Sequence, residues 1–357
     1  MRPLSPIPRR TGTLIHRALG VLAVLAAACG AGNPPGPAAA APRAPHAASA
    51  PKPGGTTRAA PPVIGALTAD RVKLAWEAAV GGFGKAVAID GTLGRVAAAS
   101  GSLVKLYELA SGRPAGSLTT CPDVIRGGLG FASRSLVVVC ESGIQRFDPV
   151  KLTRLSAPRA NPSRITAASL SGHRLALGHH DGVVRIYALD GAPALEIAVP
   201  GPPIDVKSLA LDPAGKRVAV AWVQGSIWWW ELAKPDAPHP LVRHESEADS
   251  VAFSDDGALF AEEGEPLQTT VWSFAGATPA ERTKLKNGEW VKRLLFTRDG
   301  KWLIRGGADG LELAELGGPR RVALDTTGQV EDAALDERGA ALAAIDRRGR
   351  LTAWRVR

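Results

Sequence analysis

The chain predicts an all-β fold, a seven-bladed propeller of four-stranded antiparallel blades closed by an N-terminal outer strand. Three observations carry that expectation. A short alternating strand, clearest as Gly182-Val183-Val184-Arg185-Ile186-Tyr187-Ala188-Leu189, returns along most of the sequence. Its aromatic or equivalent position falls at Tyr107, Phe147, Tyr187, Trp230, Trp272, Ala314 and Trp354, giving spacings of 40, 40, 43, 42, 42 and 40 residues. That period, with several strands per copy, belongs to propeller blades rather than to helical solenoids. Finally, the seventh copy stops after its third strand, while Arg71-Val72-Lys73-Leu74-Ala75-Trp76 alternates as an edge strand before the first copy. It is expected to supply the missing outer strand and so remove the open edges.

The first 28 residues stand apart from the repeat. Arg2, Arg9, Arg10 and Arg17 form a basic head, followed by the uncharged run Ala18 to Ala28. Eleven residues are too few to cross a bilayer as a helix but match the apolar core of a secretory signal. The run ends in Leu25-Ala26-Ala27-Ala28-Cys29-Gly30. Small residues leading into one cysteine resemble a bacterial lipoprotein signal, although Ala26 stands where that family usually has a branched residue. The resemblance implies cleavage before Cys29 and lipidation of its side chain; the other reading is an ordinary export signal cut near Ala28. The organisation expected is therefore a signal over 1–28, a lipidated cysteine with an Ala/Pro/Gly tether over 29–62, and the propeller over 63–357. The tether has three cations and no acid, Phe, Trp or Tyr, so it has nothing with which to build a core.

Charge narrows the partners. The chain has 43 Lys and Arg against 34 Asp and Glu, but four of the arginines lie in the signal, so the excess after cleavage falls to five. The remaining cations are scattered through turns. Nucleic-acid binding is not expected.

Within each copy an apolar strand, a polar turn, a second apolar strand and another turn precede the alternating strand. The fourth copy is clearest: Val206 to Leu211, the turn Asp212-Pro213-Ala214-Gly215-Lys216, Arg217 to Trp222, then Gly225 to Leu232. Pro fixes one turn dihedral and Gly accepts positive φ, which makes the turn a hairpin connection. The fifth to seventh copies carry Ser254-Asp255-Asp256-Gly257, Thr297-Arg298-Asp299-Gly300 and Asp336-Glu337-Arg338-Gly339 at the same place. The first three are looser, with Asp90-Gly91-Thr92-Leu93-Gly94, Ala132-Ser133-Arg134-Ser135 and Ser171-Gly172-His173.

On these turns, and on strand ends such as Val271-Trp272-Ser273-Phe274 and Leu351-Thr352-Ala353-Trp354-Arg355, the region 65–357 resembles the WD-repeat family. No copy has the full Gly-His start and Trp-Asp end. That family's structural network of His, Ser or Thr, Asp and Trp is matched only in fragments: His244, Asp181, Asp309, Trp230, Trp272 and Trp354.

Several residues stand out as functional candidates. Cys121 and Cys140 flank the first two strands of the second copy and are either a disulfide or two buried thiols. His179-His180-Asp181 lies in a turn, where adjacent side chains diverge and no second cluster completes a metal shell. In Trp228-Trp229-Trp230, Trp230 holds the repeat position, Trp228 shares its face, and Trp229 enters the opposite interface; all three are expected in the core, the other reading being that Trp222 and Trp228 reach a rim and add contact area. Glu245 and Glu247, with Glu262, Glu263 and Glu265 in an expected second-to-third strand loop, form a candidate acidic interaction surface or are ordinary surface carboxylates. No spacing marks a cofactor, metal or catalytic site.

The functional expectation is a non-enzymatic interaction scaffold, exported and lipid-anchored at the bacterial cell envelope, with an unidentified protein partner. The resemblance to lipoproteins implies the outer membrane or the periplasmic face, since Gly30 rather than Asp follows Cys29. The alternative is a propeller enzyme, or a small-ligand or glycan binder, using the channel mouth.

Overall fold

A computed structural model describes residues 71–356 apart from 157–158, 190–192, 199–203 and 265–266. The signal, the tether, Cys29 and Glu265 lie outside the described residues.

Seven antiparallel sheets follow one another along the chain. Blade one comprises Gly84–Asp90, Arg95–Ser100, Leu103–Glu108 and Pro114–Thr119. Blade four comprises Val206–Leu211, Arg217–Trp222, Ser226–Glu231 and His239–Arg243, and its first turn carries the Asp212 and Gly215 expected there. Blade two departs from the pattern at its outer edge, where two short pieces, Thr153–Arg154 and Arg159–Ala160, both pair with Gly143–Asp148. Blade seven is completed by Val72–Ala79, which pairs antiparallel with Arg350–Val356 from Val72 opposite Val356 to Ala79 opposite Arg350. The inner strand of blade seven in turn packs on that of blade one, closing the ring.

No single core occupies the molecule. The buried apolar side chains divide into seven clusters, one per interface between neighbouring blades. The pleat explains the division, because successive side chains leave opposite faces of a strand. In the second strand of blade one, Ala97 and Ala99 enter the interface with blade two, whereas Val96 and Ala98 enter the one with blade seven. Both faces of a blade are therefore interior. Second strands accordingly read as near-continuous apolar runs such as Leu136-Val137-Val138-Val139 rather than as apolar–polar alternation.

Each repeat-position side chain packs towards the preceding blade: Tyr107 towards blade seven, Phe147 towards blade one, Tyr187 towards blade two, and Trp230, Trp272, Ala314 and Trp354 likewise around the ring. Trp228 stacks on Trp230 with ring centroids 6.5 Å apart, and Trp229 turns the other way onto His239 and Phe274.

Polar stitches cross the same interfaces. The Leu211 N–H donates to Ser169 Oγ (3.0 Å), the Val251 N–H to Ser208 Oγ (3.2 Å) and the Leu294 N–H to Ser250 Oγ (3.0 Å). At the closing seam the Val87 N–H donates to the buried carboxylate of Asp332 (2.9 Å). At the first-turn end, Arg174 and Arg217 donate to the carbonyls of Gly215 and Gly257 in the next blade, both at 2.6 Å. Asp212 Oδ1 meanwhile accepts the N–H groups of Lys216 (2.6 Å) and Arg217 (3.1 Å) within its own turn.

Candidate functional site at the channel mouth

The inner strands line the propeller axis, and at one end the repeat inserts extra residues. Register slips there in blades one, three, four, six and seven leave Lys85, Thr166, Lys207, Lys292 and Glu331 without an opposing residue. A bulge of this kind re-aims the unpaired side chain. Blade two carries the largest irregularity, with Ile125, Arg126, Gly127 and Gly128 together facing Val139 alone. Glycine is needed for that loop: Gly127 has φ +64°, and a Cβ at Gly128 would stand 2.5 Å from the Val139 carbonyl oxygen.

The departures of blades two, three, four and six border a cavity of about 220 Å³ lined by Arg126, Thr166, Lys207, Asp249, Lys292 and Arg293 among others. Its charges are linked. Lys292 Nζ lies 3.0 Å from Glu331, which Arg126 also approaches at 3.5 Å. Arg293 Nε lies 3.1 Å from Asp332. Across the opening Lys207 Nζ meets Glu247 (2.8 Å) and Asp249 (2.9 Å). Burial draws the Lys207 ammonium down, but those two carboxylates outweigh it and hold the group above the ordinary lysine value. Asp332 is pushed up by burial, against the pull of Arg293. On the rim, Arg164 reaches Glu141 (3.5 Å) and Asp205 (3.6 Å), and His180 contacts Asp205 as well.

The structure redistributes the residues singled out in the sequence. His180 is exposed and joins the rim, Glu245 is exposed, and Glu247 enters the mouth through Lys207. His179 is instead fully buried, its ring Nδ1 3.0 Å from the Ser163 carbonyl and its pKa lowered by burial. Trp222 is also interior, set edge-on to Trp230 with centroids 5.9 Å apart, and Trp228 is half-buried. Neither Trp222 nor His179 offers an interaction surface.

Glu262 and Glu263 require the same correction. They belong to the strand Leu259–Gly264, not to a loop, and both are fully buried because the two faces of a second strand each meet a neighbouring blade. Glu262 Oε2 pairs with His244 Nε2 at 2.9 Å. Glu263 accepts the Asp249 N–H at 3.3 Å, keeps Oε1 without a hydrogen-bond partner, and is pushed up to about 8 by burial.

Cys121 and Cys140 are paired, with Cα atoms 6.3 Å apart, and their sulfurs cluster with a carboxylate oxygen of Asp123. The pair fastens the segment that leads into the blade-two bulge to the end of the second strand.

Arg126, Lys207, Lys292, Arg293 and Glu331 were not singled out from the sequence, yet for Lys207, Lys292 and Glu331 a signal exists. Val206-Lys207-Ser208-Leu209, Val291-Lys292-Arg293-Leu294 and Val330-Glu331-Asp332-Ala333 each place one charged residue directly after the first apolar residue of the inner strand. The repeat offset makes that position comparable between blades.

No protein-family model matches the chain, and no curated protein matches it in sequence. Among solved structures it is similar to a chain from the crystal structure of a mitotic checkpoint complex, at 19% identity and a TM-score of 0.67, over 87% of this chain and 99% of that one. At that identity the likeness speaks for the fold alone.

Proposed function

We propose that the protein is a non-enzymatic interaction scaffold whose channel-mouth face docks a protein partner, held at the bacterial cell envelope through lipidated Cys29. One observation carries the docking face. The inner strands share their architecture around the ring but diverge in side chain at the bulge position, where Lys85, Arg126, Thr166, Lys207, Lys292 and Glu331 follow one another. A repeated strand framework that presents different, mostly charged side chains at one opening is what recognition of an asymmetric partner requires. The anchoring is supported by the small residues before Cys29 and by the Ala/Pro/Gly composition of the segment after it, which has nothing with which to build a core.

Photo-crosslinking in intact envelopes tests the docking face. A crosslinkable residue in place of Thr166 should capture a discrete protein partner, while one in place of Val150, exposed on the outer edge of blade two, should not. Capture from Val150 alone would reassign the surface. Metabolic labelling with radioactive palmitate tests the anchor: incorporation should vanish in Cys29→Ser, and an unlabelled parent chain would remove the anchor from the proposal. A small-ligand role for the cavity is the second reading, favoured by its volume of about 220 Å³.

A further inference from the structure

We infer that the channel mouth receives a single carboxylate, an Asp or Glu side chain of the partner, between the guanidinium groups of Arg126 and Arg293. The inference rests on the docking face proposed above and deepens it.

Both arginines keep donors in reserve. Among the described residues Arg126 makes one ion-pair contact, 3.5 Å to Glu331, and no hydrogen bond. Arg293 spends only its Nε, on Asp332 Oδ1 (3.1 Å) and the Ala333 carbonyl (3.2 Å), leaving both terminal nitrogens for another acceptor. Arg126 and Arg293 line the same cavity, and the blade-two bulge lies beside the second of them: a Cβ on Gly127 would stand 3.6 Å from Arg293 Nη1. Two planar forks facing one cavity match the geometry in which guanidinium binds carboxylate through paired N–H donors.

Burial arranges the charges vertically. Arg126 and Arg293 have side chains 38% and 33% exposed, whereas Glu331 and Asp332 beneath them are 3% and 1% exposed. An approaching group meets cations first, while the acids below hold those cations in position. On this side of the mouth, with Lys292 included, three cations stand over two acids, a local surplus of one that Lys207 with Glu247 and Asp249 reverses across the opening. That surplus suits one carboxylate and falls short of a phosphate dianion. Glu247 and Asp249, two acids on one Lys207, face the same opening and repel an extended polyanion such as nucleic acid or an anionic lipid surface. A lone acidic side chain on a protein segment fits both halves of the mouth.

The test uses the full chain, labelled with nitrogen-15, and the end-blocked peptide Ala-Ala-Glu-Ala-Ala, with Ala-Ala-Gln-Ala-Ala and inorganic phosphate as comparison probes. The Glu peptide should shift the arginine Nε–H signals of Arg126 and Arg293 saturably, and the Gln peptide should not. Arg126→Ala should weaken binding about tenfold, the loss of a charge-assisted hydrogen bond, with partial recovery in Arg126→Lys. Because Arg126 is part-exposed, unchanged melting of the variant separates lost recognition from lost fold. Equal shifts with both peptides, tighter binding of phosphate, or an unaltered Arg126→Ala overturns the carboxylate site. Thr166 crosslinking that survives in Arg126→Ala would then leave the docking face standing; loss of the Thr166 crosslink in the parent chain removes both.

Discussion

The two ends of the inner strands use one backbone for different purposes. At the first-turn end the chain repeats its chemistry: Asp212 and Asp336 each accept two backbone N–H groups of their own turn, and Ser254 and Thr297 each accept one at the same position. At the mouth end the bulge residue changes from lysine to arginine, threonine and glutamate. Sameness among copies marks the end that holds the blades in shape, and difference marks the end free to recognise something.

The largest disturbance should come from breaking the ring that both ends share. Removing Val72–Ala79 strips the hydrogen-bonding partner from Arg350–Val356 and leaves that strand as the exposed edge of blade seven. The melting temperature should fall by about 10 °C or more, read by calorimetry. Unchanged melting would show that the seam is dispensable.

Next in size is a pH effect at Glu263, a buried group close behind the mouth. Its carboxyl is raised from 4.5 to about 8, so between those values the unfolded chain has released a proton that the folded chain still holds. Stability should therefore fall as pH rises through that window, by on the order of 5 kcal/mol at most. Urea unfolding at pH 5 and pH 8 should show the slope in the parent chain and lose most of it in Glu263→Gln. The same slope in both proteins refutes the assignment.

The comparison itself is sharpened by two smaller substitutions. Asp212→Ala abandons its turn hydrogen bonds and its 3.2 Å contact with Arg217 Nε, and should cost about 2 kcal/mol. Thr166→Ala, at the mouth, should change stability by less than about 0.5 kcal/mol, as for a surface position away from caps and cores. If chemical denaturation ranked Thr166→Ala as the more damaging of the two, the division of labour between the ends would be wrong.

Much of this architecture was legible before any coordinates. Tyr107, Trp230 and Trp354 announced the period, the Asp-Pro-Ala-Gly turn of blade four located a hairpin, and Arg71 to Trp76 offered itself as the missing strand because an edge strand alternates. The site was less legible. Glu262 and Glu263 look like surface acids by composition, and Trp222 looks available by size. The strand Leu259–Gly264 breaks the near-continuous apolar run by which other second strands declare two buried faces, because its apolar residues stop at Ala261. Arg126 was hidden for another reason: a bulge depends on register with the neighbouring strand, and register belongs to the pair.

The sequence by itself determined the number of blades, their strand pattern and the means of closure, because periodicity, turn chemistry and alternation are properties of short segments. The tertiary structure alone decided which charged residues face the channel and which are sealed between blades. That outcome depends on a one-residue slip against a partner strand and on packing by the next blade some forty residues away, neither of which any single repeat contains.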